Sequence, residues 1–153
     1  MESVAYEELL RREGRIITHV VGYSMLPLLR NRESIVIVES VDRVPPRQGD
    51  VVLYKCGTTY LLHRILQIRP DEYLIRGDNT RVLEHVSGDD LLATMTGFYR
   101  RAESRLVSRN NLFYRLYQLM LPCIRLTRRI NNLIRRILRR WYRGIAQRFG
   151  KHR

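Results

Sequence analysis

The chain has 153 residues, of which 44% are apolar and 28% charged, enough for one domain with a sizeable core plus an appendage and unlike a disordered polymer. Its net charge of +13 would read as a nucleic-acid signature, but from residue 100 onward 16 Lys/Arg stand against one acid, Glu103, while residues 1–99 hold 12 basic and 14 acidic side chains. The body is nearly neutral, and the basicity belongs to the tail.

In chain order, VAYEELLRRE (4–13) suits a short helix that Gly14 would end. RIITHVV (15–21), SIVIVES (34–40), DVVLYK (50–55), TYLLHRILQI (59–68), EYLIRG (72–77) and ATMTGFYR (93–100) follow. These runs are short, rich in Val, Ile, Tyr and Thr, and separated by turn formers such as PPRQGD and GDNT, which predicts strands. The fold class expected is mainly β, a small sheet-rich or barrel-like domain. From Leu112, apolar residues recur every three or four positions through Leu116, Leu119, Cys123, Leu126, Ile130 and Leu133, with arginines on the flanks. This predicts a basic amphipathic helical tail over about 106–149, split or kinked at Pro122. The organisation expected is an N-terminal helix over 1–14, a β domain over 15–102 and the tail over 103–153.

Cys56 and Cys123 are the only cysteines and form no CxxC or His/Cys cluster. Neither a zinc site nor a disulfide framework is expected, and two buried structural thiols are. No apolar run of 18 residues occurs, so no membrane-crossing helix is expected. MESVAYEELLRREG mixes acids and bases where an export signal needs a charged start and an apolar block.

Three stretches carry chemistry. In VVGYSMLPLL (20–29), Gly22 breaks a β-branched run just before Ser24. A turn there can aim the hydroxyl outward and free backbone N–H groups for an oxyanion. Most serines in turns are only turn residues, and a serine nucleophile needs an adjacent base. His63 interrupts the apolar strand YLLHRI, where a backbone carbonyl is its commoner partner. IRGDNT (75–80) ends a strand in a tight turn of the kind Asp and Asn favour.

In order and spacing, GYSMLP (22–27), QGDVVLY (48–54), LLHRIL (61–66) and RGDN (76–79) resemble the signal peptidase family, within the larger group that includes the self-cleaving LexA-type repressors. The resemblance covers roughly residues 17–98. Many family members have a lysine as base. His63 is similar instead to the endoplasmic-reticulum, archaeal and sporulation-type enzymes with a Ser–His pair. The resemblance implies Ser24 as nucleophile, His63 as general base and Asp78 as the acid that orients the imidazole. The family's further aspartate is missing after GDN, where Glu84 is the nearest acid and Asp89–Asp90 lie beyond. Gly22 stands where many signal peptidases carry an oxyanion-binding serine, which would leave that task to backbone donors such as the Ser24 N–H. The family's transmembrane anchor has no counterpart among the apolar runs of this chain.

The function expected is a serine endopeptidase that cuts a precursor or leader peptide, without cofactor or metal. The alternative is a weakly active or inactive peptidase-like module whose tail binds membrane, a partner protein or nucleic acid. Peripheral membrane contact through the tail and packing of the tail on its own domain or on a partner weigh equally, with nucleic acid behind them. A cytoplasmic location is the alternative to a membrane-associated one.

Overall fold

The computed structural model describes residues 6–102 and 104–149, with side chains described except at 128, 129, 131, 132, 137, 138 and 140–149. The expected helix start at residue 4 and the boundary at 103 lie outside the described residues. Helix α1 (Tyr6–Glu13) carries Glu7 and Glu8 in its first turn and Arg11 and Arg12 in its last, the order that complements the helix dipole. Gly14 stops it at φ 68°, donating its N–H to the Leu10 carbonyl at 2.7 Å, a left-handed cap that glycine adopts without strain. The Tyr6 ring meets the Tyr60 ring edge-on at 4.9 Å. Lys55, 2.8 Å away, and then the Tyr60 hydroxyl hold the Glu7 carboxyl down to about 2.

The strands are β1 (Arg15–His19), β2 (Ile35–Ser40), β3 (Val51–Cys56), β4 (Thr59–Ile68), β5 (Tyr73–Arg76), β6 (Glu84–Val86), β7 (Leu91–Tyr99) and β8 (Val107–Ser108). They form one curled antiparallel half-barrel sheet in the order β1-β2-β7-β3-β4-β5-β6, with β8 on β7. The mainly β class is therefore as the composition of the runs predicts. Strand alternation sorts the core into two clusters. Val38, Val51, Leu53, Met95 and Tyr114 belong to the larger, and Val52, Tyr54, Ile65 and Ile75 to the smaller. Val52 pairs with His63 and Val51 with Arg64, so those two neighbours on β4 point to opposite faces. That parity organises the site.

Three features differ from expectation. Strands β6 and β8 are additional, and β8 occupies part of what reads as tail. Helix α2 (Leu112–Phe149) begins later than residue 106 and includes Pro122 without ending there. Asn111 sets its start, accepting the Phe113 N–H at 2.8 Å on its side-chain oxygen and the Arg115 N–H at 3.1 Å on its carbonyl, an N-cap. Cys56 and Cys123 are free and exposed rather than buried, since one closes β3 beside a hairpin turn and the other sits on a solvated part of α2. The chain divides into two compact units, residues 1–118 and 119–153, so the first two turns of α2 belong with the sheet. Among the described residues, no helix is long and apolar enough to cross a membrane.

Candidate active site

After β1 the chain turns at Gly22, whose φ is 104°. Among the described residues, no atom beyond its chain neighbours lies within 4 Å of where a Cβ would stand, so backbone conformation rather than crowding demands glycine there. The Gly22 N–H donates to Asn31 Oδ1 at 2.9 Å. Met25 and Leu29 bury themselves beneath the turn, at 2% and 0% exposure, and so fix the loop that carries half-buried Ser24. A second clamp comes from the Gly77–Asp78–Asn79 turn. Asn79 donates its N–H to the Ser24 carbonyl at 2.7 Å and its side-chain amide to the Tyr23 carbonyl at 3.1 Å. Among the described residues, the Ser24 N–H donates to no protein acceptor.

Gly77 is where serine and histidine converge. A Cβ built there would stand 2.8 Å from the Ser24 carbonyl oxygen, closer than a real side chain comes to backbone, and a tight 3.1 Å from His63 Cδ2. Gly77 is thus required by close approach. The Cδ2 side of the imidazole, which also carries Nε2, lies against Gly77, and the Ser24 carbonyl packs on that same glycine. No hydrogen bond joins the Ser24 hydroxyl to the ring among the described residues, and such contacts are often long before substrate arrives.

The opposite edge of His63 is held tightly. Nδ1 lies 2.8 Å from Glu84 Oε2 and 2.9 Å from the Tyr54 hydroxyl, while that hydroxyl donates to the same Glu84 oxygen. An ionised carboxylate only accepts, and the Tyr54 proton is already committed to it, so Nδ1 must be the donor. In a neutral ring so held, Nε2 is the nitrogen with the lone pair, the tautomer a general base requires. Burial first, and then Glu84, push the Tyr54 hydroxyl well above the ordinary tyrosine range, keeping it a proton donor at neutral pH.

Asp78 does not orient the imidazole, and this corrects the expectation for that residue. Its carboxylate takes Arg64 Nε and Nη2, each at 2.8 Å, on the other face of β4. Each acid serves the basic residue on its own side: Glu84, opposite Ile75 on β5, faces His63, and Asp78 faces Arg64. Burial opposes the charge on Arg64, but its bonds to Asp78 hold its pKa above the ordinary value. The QGD stretch converges here too, since Arg64 Nη1 donates to the Gly49 carbonyl at 2.6 Å. Beside it, burial pushes the Asp50 carboxyl up, although Asp50 accepts the Arg47 N–H at 2.7 Å and pairs with Arg109 at 3.1 Å.

A cleft of about 140 Å³ borders Ser24, lined by Val20, Val36, Val38, Leu53, Tyr60 and Leu62 among others. It opens beside β1, the edge of the sheet. Tyr54 is the site residue that sequence reasoning missed. It sits two positions after Val52, which pairs with His63, so the β3–β4 register would have found it. No group of three or more His, Cys, Asp or Glu placed to hold a metal occurs among the described residues. The chain matches no protein-family model, and no curated protein matches it.

Proposed function

We propose that this chain is a serine endopeptidase of the signal-peptidase type, acting on a precursor or leader peptide through Ser24 and His63. The observation that carries the reading is the His63 ring, fixed at Nδ1 by Glu84 at 2.8 Å and presenting its other edge at Gly77, against which the Ser24 carbonyl packs. In the proposed reaction, Ser24 Oγ attacks the scissile carbonyl and His63 Nε2 takes its proton. Nε2 then returns that proton to the leaving amine, and water hydrolyses the acyl-enzyme by the same relay. The unpaired Ser24 N–H is a donor for the oxyanion. A substrate segment would lie as an extended strand along the β1 edge, with small or apolar side chains in the cleft.

A fluorophosphonate probe tests the chemistry, because only an activated hydroxyl is modified. We expect labelling at Ser24 in the wild type and none in Ser24→Ala, with the variant folded by circular dichroism. Labelling elsewhere, or none in the wild type, would favour the inactive binding module instead.

The same reading includes peripheral attachment to an anionic membrane through α2. In residues 119–139, Leu119, Leu126, Ile130 and Leu133 are 48–76% exposed, and Arg135, Arg136 and Arg139 are exposed with them. An anionic bilayer uses both features at once, whereas a phosphate backbone has no use for the apolar stripe. Self-pairing of the stripe would bring arginine-rich flanks together. Converting Arg135, Arg136 and Arg139 to Gln should weaken partition onto anionic vesicles about 100-fold, at about 1 kcal/mol per basic residue. Equal flotation of the variant and the wild type would refute this attachment.

A further inference from the structure

The hydroxyls of Tyr114 and Tyr117 lie outside the reaction described above, yet both reach the centre of the site's support. Residues 114, 117 and 118 are spaced i, i+3 and i+4, so they share one face of α2, and each binds a different part of the Arg64–Asp78 pair's surroundings. Arg64 Nη1 donates to the Tyr114 hydroxyl at 3.0 Å. Tyr117 donates its hydroxyl to Asp78 Oδ2, also at 3.0 Å. Gln118 donates Nε2 to the Gly49 carbonyl at 2.8 Å, the same oxygen that Arg64 uses. The guanidinium carbon lies 5.5 Å from the Tyr114 ring centre and 5.7 Å from that of Tyr117, within cation–π range of both.

Asp78 is flanked by the two residues that touch the nucleophile loop. On one side Gly77 packs against the Ser24 carbonyl and His63, and on the other Asn79 holds the Ser24 carbonyl through its N–H at 2.7 Å. Moving the Asp78 carboxylate therefore moves the turn that fixes Ser24, without touching Glu84 and Tyr54, which hold His63 on the opposite face. We infer that Tyr117 is a positioning residue of the active site, and that the first two turns of α2 hold Ser24 in register with His63 by bracing Asp78. Control of the site thus resides in a segment beyond the last strand. The inference rests on the peptidase reading for its catalytic meaning, but its structural half stands apart from that reading.

Tyr117→Phe, made in the full chain, removes one hydroxyl and keeps the ring over Arg64. Loss of a hydrogen bond to a charged group should slow fluorophosphonate modification of Ser24 about tenfold. The midpoint of its pH profile should stay put, because His63 keeps its own partners. Amide hydrogen exchange at Asn79 should quicken by a similar factor while Val38, in the core of β2, exchanges as before. Wild-type labelling together with wild-type Asn79 exchange would overturn the inference. Uniform acceleration across Asn79 and Val38 would overturn it too, since that is mere loss of stability. If the wild type fails to label, the peptidase reading falls, and the Asn79 exchange alone decides whether Tyr117 braces the loop.

Discussion

Replacing His63 with alanine is expected to lower the rate of Ser24 acylation by about 10⁶-fold, and Glu84→Gln by about 10⁴-fold, following the hierarchy that base and orienting acid show in serine peptidases. The difference arises from what each change leaves behind. Without the imidazole no group takes the Ser24 proton. With glutamine at 84 the ring stays, but an amide N–H can donate to Nδ1, now 2.8 Å from a Glu84 oxygen, and would favour the tautomer whose Nε2 carries the proton and cannot act as base. Tyr54→Phe should be milder, because Nδ1 keeps the carboxylate. Asp78→Asn discriminates the two acids. Any loss there should come from the loosened turn that holds Ser24, leaving the pH midpoint of labelling unchanged. Rates and pH profiles of probe labelling on the folded variants check all four. A shifted pH midpoint in Asp78→Asn, with Glu84→Gln near wild type, would return the orienting role to Asp78.

Why the two acids are misassigned from sequence is a matter of strand geometry. Asp78 lies in the conspicuous RGDN turn, whereas Glu84 opens a three-residue strand, EHV, with one apolar residue, too short to display a period. Its partner is legible only through two registers, β5 on β6 and β4 on β5, because adjacent positions of β4 face opposite ways. The longer strands were legible because their Val/Ile runs are bounded by turn formers. The amphipathic stripe of α2 was legible for a similar reason, but its starting point was not, since residues 107–108 pair with β7 before Asn111 caps the helix. Gly22 and Gly77 illustrate the same limit at the site: both are glycine, one for a positive φ and the other for close approach, and the sequence does not distinguish them.

The buried Arg64–Asp78 pair yields the largest expected effect on stability. Arg64 is 2% exposed and Asp78 likewise 2%, so removing either partner takes a charge-assisted, bidentate pairing from a charge that is buried away from water. Arg64→Met, which keeps bulk, takes the two guanidinium bonds away from the Asp78 carboxylate. Asp78→Leu leaves a guanidinium against two tyrosines and the Gly49 carbonyl. Each single change should cost about 3–5 kcal/mol, as breaking buried pairs generally does, out of a total stability of about 5–15 kcal/mol for a domain. The double replacement should be much closer to wild type, because neither charge remains and the desolvation penalty of both is relieved. Urea midpoints for the wild type, both singles and the double form a cycle in which the coupling between the sites is read directly. Two single variants within about 1 kcal/mol of wild type, the ordinary range of exposed ion pairs, would show that this pair does not brace the fold. In that event the double variant also measures what the brace is for. If it folds stably yet labels slowly at Ser24, with the Asn79 amide exchanging fast, the pair serves the nucleophile loop rather than the domain.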